Sequence, residues 1–191
     1  MGGLDLIAFS AQLCIQASAW PQKMTKPIGK DMKLTDILTV DRIVPNLEST
    51  EKTQAVSEFV RRGFLQDDKT KGLSVDDEMR LVQVLLDREK LGSTAIKDGL
   101  AIPHGRISGL PHLSAALAIS RDGLDFGAPD KALSRIFIIL FAPESAGTEH
   151  LRALARISRL FSGGQLQRNL LACQTEKEIY EEIAAEDARY P

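Results

Sequence analysis

A short apolar run restricts the possible folds more than any other feature of this sequence. Residues 136–141 read Ile-Phe-Ile-Ile-Leu-Phe, and Pro143 follows closely. A strand with one face in water alternates apolar and polar residues, so an unbroken apolar run indicates an interior strand that is covered on both faces. Pro143 lacks an amide hydrogen and is expected to end the strand. The rest of the chain must therefore supply helices for both sides of a sheet.

The patterns on either side of this run predict those helices and several shorter strands. Apolar residues at helical spacing, with capping and stop signals, indicate helices at about 50–62, 75–91, 149–161, 165–173 and 175–185. Short strands are predicted at about 43–44, 100–102 and 113–119, the last of them followed by a turn at 121–123. This alternation predicts an α/β sandwich, in which a mixed central sheet of about five strands is flanked by helices on both faces.

The helical periodicity also assigns individual side chains to inner and outer faces. Met79 is predicted to lie in the buried stripe of the second helix, and Leu151 in that of the third. Arg156 is predicted to point outward from the third helix. Ser74 is predicted to cap the second helix, since three acidic residues follow within its first turn and complement the helix dipole.

Length and composition indicate one domain with a short extension. The chain has 191 residues, of which 43% are hydrophobic, which is enough for one ordinary core and too little for two. Because the regular patterns begin only near Lys33, residues 1–31 are predicted to form an amino-terminal extension and residues 32–191 the domain. The apolar part of the extension is interrupted by polar residues and predicts no membrane span.

Charge and cysteine content exclude several functional classes. A formal net charge of -2 argues against a nucleic-acid binder, which needs a positive surface. The two cysteines, Cys14 and Cys173, are too far apart in sequence to suggest a disulfide framework or a metal-binding knuckle. Such cysteine usage fits a reducing compartment, so we expect a cytoplasmic protein without stable membrane insertion.

The tripeptide Pro103-His104-Gly105 is the strongest candidate for a functional site. Pro103 fixes its own φ and donates no hydrogen bond, while Gly105 lacks a Cβ and lets other groups approach the imidazole. This combination predicts a rigid strand end that presents His104 to solvent, with Arg106 beside it. A histidine held in this way can act as a nucleophile, a general base or a metal ligand. An ordinary loop histidine remains an alternative at this point.

The other two histidines, His150 and His112, are not equally strong candidates for a functional site. His150 falls in the first turn of a predicted helix, where free amide groups and the positive end of the dipole favour an anion and a neutral ring. It could equally be a surface residue that closes the start of that helix. His112 lies in a predicted loop and is interpreted as incidental. A metal site built on His104 and His150 is a further possibility, but acidic residues do not cluster near either of them in the sequence.

From about Leu34 to its end, the chain resembles the fructose/mannitol-type enzyme IIA domains of the phosphoenolpyruvate-dependent phosphotransferase system, and most closely their nitrogen-regulatory branch. The segments that carry the resemblance are Arg88-Glu89, Gly92-Ser93-Thr94, Gly99, Ala101-Ile102-Pro103-His104-Gly105-Arg106 and Glu149-His150-Leu151. Residues 1–31 depart from the family pattern.

The resemblance implies a role for each of six residues. The family's phosphorylated histidine corresponds to His104, its second active-site histidine to His150, and its phosphate-facing arginine to Arg88. We further predict that Arg106, Ser93 and Thr94 bind the phosphate. Cations and hydrogen-bond donors are needed there because the phosphoryl oxygens carry negative charge during transfer. No cofactor and no metal is expected.

Three functions are compatible with this resemblance. The first is a regulatory phosphoryl carrier, charged on His104 by an HPr-like protein, whose phosphorylation state is read by nitrogen- or potassium-linked target proteins. The second is a sugar-transport enzyme IIA that passes the group to a IIB domain. The third is a binding module that keeps the fold without turnover, which the intact set of Arg88, His104 and His150 argues against.

The regulatory interpretation adds an expectation about the surface around the acceptor. Donor and target proteins must both reach the ring of His104, so their docking faces should overlap there. Leu100, Ile102 and Leu110, near the strand end, are candidates for an apolar rim. Phosphorylation would place negative charge in this rim, favouring partners that offer Arg or Lys and disfavouring those that bury the surface.

Overall fold

The computed structural model describes residues 32–65 and 75–190. The predicted extension at 1–31 and the predicted cap Ser74 lie outside the described residues. Within them the chain forms five strands and five α-helices, together with short 3-10 turns near residues 34–36 and 40–42 and a π-helical turn at 61–65. Among the residues described, no helix is both long and apolar enough to span a membrane.

The five strands form one mixed sheet. Their bounds are Ile43–Val44 (β1), Leu100–Ala101 (β2), His104–Ile107 (β3), Ser114–Leu124 (β4) and Ser134–Pro143 (β5). The order is β1-β4-β5-β2, and β3 also pairs with β5, further along the same edge. The β4–β5 pair is antiparallel, whereas the other three pairings are parallel. The strand predicted from the unbroken apolar run is thus β5, which lies inside the sheet.

The alternation of side chains along β5 divides the interior into two cores. Ile136, Ile138 and Leu140 face one core, and Phe137, Ile139 and Phe141 face the other. Two helices, Lys52–Val60 (α1) and Val75–Lys90 (α2), cover the phenylalanine side. Three helices, Gly147–Leu160 (α3), Gln165–Ala172 (α4) and Glu176–Arg189 (α5), cover the other. The predicted fold class, a mixed five-stranded sheet with helices on both faces, is confirmed.

Pro103 interrupts the strand that carries the candidate histidine. β2 ends at Ala101, and the chain pairs with β5 again from His104 onward, so one edge of β5 is occupied by two consecutive short strands. The carbonyl of Pro103 still accepts a hydrogen bond from the amide of Leu140, at 3.0 Å. His104 therefore begins β3, whereas the sequence predicted a histidine at the end of a strand.

Several predicted side-chain positions and one predicted turn are wrong. Met79 and Leu151 were assigned to the core but are 59% and 67% exposed. Arg156 was assigned to the outer face, yet its Nε donates to Oδ1 of Asp187, which is buried, at 2.8 Å. The predicted turn at 121–123 lies within β4, where an irregular register and a positive φ at Gly123 accommodate it. The common cause is tertiary packing, which rotates a helix face or extends a strand beyond its local signals.

The predicted apolar rim is also wrong. Leu100, Ile102 and Leu110 are all buried, at 5% exposure or less. Leu100 and Ile102 belong to the core on the α3 side and Leu110 to the core on the α2 side. All three residues therefore contribute to the cores and not to a surface.

Gly105 is a point of close approach that predicts a measurable loss of stability. A Cβ built at this position would lie 2.3 Å from Cγ1 of Val84, so Gly105→Ala should overpack the contact between β3 and α2 and lower the free energy of unfolding by about 1–3 kcal/mol. The measurement is urea denaturation. Gly163→Ala is the control because a Cβ there meets no atom within 4 Å. An additional Val84→Ala should restore part of the loss, and equal stability of Gly105→Ala and wild type would contradict the prediction.

Candidate functional site

His104 is held by the backbone of the residue two positions before it. Its Nδ1 lies 2.7 Å from the carbonyl oxygen of Ile102. A carbonyl can only accept a hydrogen bond, so this contact assigns the ring proton to Nδ1. The lone pair of the neutral ring is then on Nε2. The half-buried imidazole therefore presents one defined nitrogen as a nucleophile.

Arg88 reaches that nitrogen from the last turn of α2. Its Nε donates to Nε2 of His104 at 3.2 Å, and its Nη1 donates to the carbonyl of Gly92 at 3.0 Å. Val84 lies one turn before Arg88 on the same face of α2, and it is the residue that packs against Gly105. The missing Cβ of Gly105 thus lets α2 come close enough for the guanidinium to meet the imidazole.

His150 approaches His104 from the other core. It is the fourth residue of α3, is 7% exposed, and its ring centroid lies 5.3 Å from that of His104 at an interplanar angle of 57°. Its amide is bonded to the carbonyl of Ala146, so it is not one of the free amides at the helix start. Nε2 of His150 is buried without a hydrogen-bond partner. Such groups are rare in native proteins and indicate a site that an additional polar group can complete.

The surroundings keep both imidazoles neutral. Burial lowers the pKa of His104, and the charge of Arg88 lowers it further, although the hydrogen bond to Ile102 and the charge of Glu89 oppose this shift. Burial, together with His104 and Arg106, lowers the pKa of His150 to about 4. At neutral pH the site therefore combines two neutral rings with the cations of Arg88 and Arg106.

Arg106 lies at the solvent-exposed edge of the cluster formed by Arg88, His104 and His150. Its side chain is exposed, and its Nη1 makes a long hydrogen bond of 3.4 Å to the carbonyl of Glu144, in the loop before α3. The structure thus brings Arg88, His104 and His150 together and leaves Arg106 beside them. His112 is exposed in the β3–β4 connection. Within the part of the chain described, no three His, Cys, Asp or Glu side chains form a cluster suited to a metal ion.

Comparisons with known proteins identify the family of this chain. Residues 34–186 match the family described as "Phosphoenolpyruvate-dependent sugar phosphotransferase system, EIIA 2". The chain belongs to this family. The resemblance noted in the sequence is therefore confirmed, and membership supports a phosphocarrier role. Nothing in these comparisons tests the assignment of individual site residues.

Individual relatives of this EIIA type 2 chain come from both a regulatory and a sugar-specific group. It is 35% identical to a nitrogen regulatory protein of Bradyrhizobium diazoefficiens, over 80% of this chain and 95% of that protein. It is 31% identical to the fructose-specific EIIABC component of Bacillus subtilis, over 82% of this chain but 24% of that protein. The crystal structure of the nitrogen regulatory protein IIA-Ntr from Neisseria meningitidis superimposes with a TM-score of 0.67 at 29% identity, covering 78% and 97% of the two chains.

The hydroxyl groups of Ser93 and Thr94 are engaged elsewhere in this EIIA chain. Oγ of Ser93 donates to the carbonyl of Phe126 at 2.6 Å. Oγ1 of Thr94, which is buried, donates to Oε2 of Glu89 at 2.5 Å. Phosphate binding by these two residues remains a prediction, and it would require their hydroxyl hydrogens to leave these partners.

Glu89 is a residue near the site to which the sequence analysis gave no role. It is a buried carboxylate in the last turn of α2, where the negative end of the helix dipole disfavours an acid. Burial opposes its ionisation, but hydrogen bonds from Lys52 and Thr94 outweigh this effect and lower its pKa. An acidic residue at an electrostatically unfavourable helix position was the available sequence signal.

The depressed histidine pKa values predict a loss of stability at mildly acidic pH. Below about pH 6.5 the histidines of the unfolded chain become protonated, whereas the folded rings resist protonation. The free energy of unfolding therefore decreases as the pH is lowered from about 6.5, and the contribution of His150 is lost by about pH 4. Above pH 6.5 these groups leave the stability unchanged. For His150 alone the loss should be on the order of 2 kcal/mol by about pH 5. Urea denaturation across this range measures it.

Two variants test the assignment of this pH dependence. His150→Gln should flatten the decline between about pH 6.5 and 5, whereas His112→Gln should leave it unchanged because His112 is exposed in the β3–β4 connection, outside the His104–His150 pair. A decline of the same steepness in His150→Gln and wild type would show that another group causes it.

Proposed function

We propose that this EIIA type 2 chain is a phosphoryl carrier that accepts its phosphoryl group on Nε2 of His104. The observation that carries the proposal is the double restraint on the ring, with Nδ1 at the Ile102 carbonyl and Nε2 facing Nε of Arg88. The donor is an HPr-like phosphocarrier protein. Neither a cofactor nor a metal is required in this scheme.

Transfer requires little covalent chemistry from the protein. The lone pair of Nε2 forms the new bond to phosphorus, while the bond between phosphorus and the donor breaks and its electron pair returns to the donor. The positive charge that develops on the His104 ring is relieved through the Nδ1–H···O=C bond to Ile102. Preorganisation of this bond means that the ring needs no reorientation during the step.

Arg88 and His150 are placed to stabilise the transferred group. The hydrogen bond from Arg88 Nε to Nε2 must open when the phosphoryl group arrives, and the guanidinium donors can then turn to its oxygens. A neutral His150 can donate from Nε2, which is buried and otherwise unpartnered, if its proton is on that nitrogen. Arg106 adds positive charge at the rim. These interactions strengthen as charge develops on the oxygens.

Phosphorylation assays test the roles of these residues. With phosphoenolpyruvate, enzyme I and an HPr-like carrier, the wild-type chain should gain one acid-labile phosphoryl group, whereas His104→Gln should gain none. Arg88→Ala and His150→Ala should slow transfer by about a hundredfold, because each removes one donor to the phosphoryl oxygens. Rapid-quench kinetics followed by intact-mass measurement gives both the rate and the stoichiometry.

The same assay includes a control variant and can contradict the proposed roles. His112→Gln removes an exposed histidine outside the cluster and should be phosphorylated like wild type. Full labelling of His104→Gln would place the acceptor elsewhere. Wild-type rates in both Arg88→Ala and His150→Ala would leave these residues with a structural role alone.

We further propose that the phosphorylation state of this protein regulates nitrogen- or potassium-linked target proteins. The support is the 35% identity to a nitrogen regulatory protein, matched over almost the whole of that relative. The alternative is a sugar-transport role, with onward transfer to a IIB domain, which the 31% identity to a fructose-specific component favours. In either role the chain acts with protein partners rather than nucleic acid, in the cytoplasm.

Onward transfer distinguishes the two roles. The purified phosphorylated chain is mixed with a fructose-class IIB domain, and loss of its phosphoryl group is followed by mass spectrometry. The regulatory role predicts that the group stays on the chain for as long as it does without IIB, whereas rapid and complete transfer would favour sugar transport. A fructose-class IIA protein paired with the same IIB domain is the positive control.

The boundary between the amino-terminal extension and the domain, placed at residue 32, remains a prediction.

A further inference from the structure

An ion pair between the partly exposed Lys52 and the buried Glu89 lies near the histidine that faces Arg88. Oε1 of Glu89 accepts a hydrogen bond from Nζ of Lys52 at 2.7 Å, which joins α2 to the first turn of α1. The ammonium of Lys52 is itself held over the ring of Phe126, 4.3 Å from its centroid, and lies 3.3 Å from the carbonyl oxygen of that residue. Lys52 thus fixes one oxygen of Glu89.

The second oxygen of Glu89 holds the segment that follows α2. Oε2 accepts hydrogen bonds from both the amide and the hydroxyl of Thr94, at 2.9 and 2.5 Å. Because its amide and its hydroxyl both donate to the same carboxylate oxygen, the backbone of Thr94 has little freedom to move. Ser93 is fixed next to it, because its hydroxyl donates to the Phe126 carbonyl that Lys52 also contacts.

Thr94 transmits this restraint to His104 through a single residue. The carbonyl of Thr94 accepts from the amide of Ile102 at 3.0 Å, and the carbonyl of Ile102 accepts from Nδ1 of His104 at 2.7 Å. The bonded chain therefore runs from Lys52 through Glu89, Thr94 and Ile102 to the imidazole. Its last link is one of the two hydrogen bonds that place the ring proton on Nδ1, the other being the donation from Arg88 Nε to Nε2.

We propose that Glu89, held by Lys52, is a positioning residue that keeps the proton of His104 on Nδ1 and so leaves Nε2 free to accept the phosphoryl group. This inference rests on the proposed phosphocarrier function. Without the carboxylate, Thr94 loses two hydrogen bonds, the Ile102 peptide is no longer held from behind, and His104 populates the other tautomer. In that tautomer Nε2 carries a hydrogen and cannot attack phosphorus.

A second buried carboxylate of the same kind provides a matched control. Glu58 in α1 accepts hydrogen bonds from the amides of Glu48 and Ser49 and forms an ion pair with Arg62 at 2.6 Å. It fixes a loop in the same way that Glu89 does, and it is similarly buried. Among the residues that the structure describes, none of the hydrogen bonds made by Glu58 leads to His104. Glu58→Gln should therefore reproduce the cost in stability without the effect on the ring.

Nitrogen NMR of the histidine side chains in the full, unphosphorylated chain tests the proposal directly. At neutral pH, wild type and Glu58→Gln should show His104 almost entirely with its proton on Nδ1. In Glu89→Gln the amide group turns a donor toward Lys52 or Thr94, and the Nδ1–H fraction should fall measurably. The rate of phosphorylation should fall by about tenfold to a hundredfold in the same variant, since small displacements at a reacting centre have effects of this size.

Lys52→Met provides an independent variant, because the lysine side chain is one-third exposed and its replacement is more easily tolerated. It should lower the Nδ1–H fraction of His104, as Glu89→Gln does. If Glu89→Gln does not fold, the result for Lys52→Met tests the proposal instead. An unchanged Nδ1–H fraction in a folded Glu89→Gln, or in Lys52→Met where that is the variant available, would overturn the proposal. Failure of the phosphocarrier function would instead appear as absent labelling of wild type, which the tautomer measurement does not depend on.

Discussion

The hydrogen bond between Nδ1 of His104 and the carbonyl of Ile102 is the interaction on which the rest of the site depends. Successive residues of a strand direct their amide and carbonyl groups to opposite sides. The carbonyls of Gly99 and Pro103 accept from β5, through Ile136 and Leu140, so the groups of Ile102 point the other way. Its carbonyl is then available to the imidazole, and Pro103 keeps that arrangement rigid. The chemistry of the ring follows from strand geometry.

The interior of the protein brings two separate helices to that ring. β5 is covered on both faces, so α2 is fixed against one core and α3 against the other. Arg88 extends from the end of α2 and His150 from the start of α3, and both meet His104 at the edge of the sheet. Arg156 of α3 also forms a buried ion pair with Asp187, which itself accepts from the amide of Thr35. The helix that carries His150 is thereby joined to both ends of the domain.

The sequence sufficed for the fold class, because an unbroken apolar strand has few structural solutions. The set of candidate site residues came instead from the resemblance to the enzyme IIA family, since the Pro-His-Gly segment alone left an ordinary loop histidine possible. Leu151 and Met79 were misplaced because helical periodicity determines relative positions on a helix and not which face meets the core. The role of Glu89 required coordinates, since its partners Lys52 and Thr94 come from a separate helix and from a loop.

The electrostatic arrangement explains how a site with an acidic residue nearby can accept an anion. A phosphoryl group on Nε2 would bring its negative charge close to Glu89, and an unpaired carboxylate there would repel it. The ion pair with Lys52 compensates that charge, and the carboxylate is directed toward Thr94 rather than toward the ring. In the proposed transfer, Arg88 and Arg106 would be left to act on the phosphoryl oxygens, while the low pKa of His150 would keep it a neutral donor. Pairing the acid with Lys52 thus lets Glu89 orient the acceptor without opposing the group it accepts.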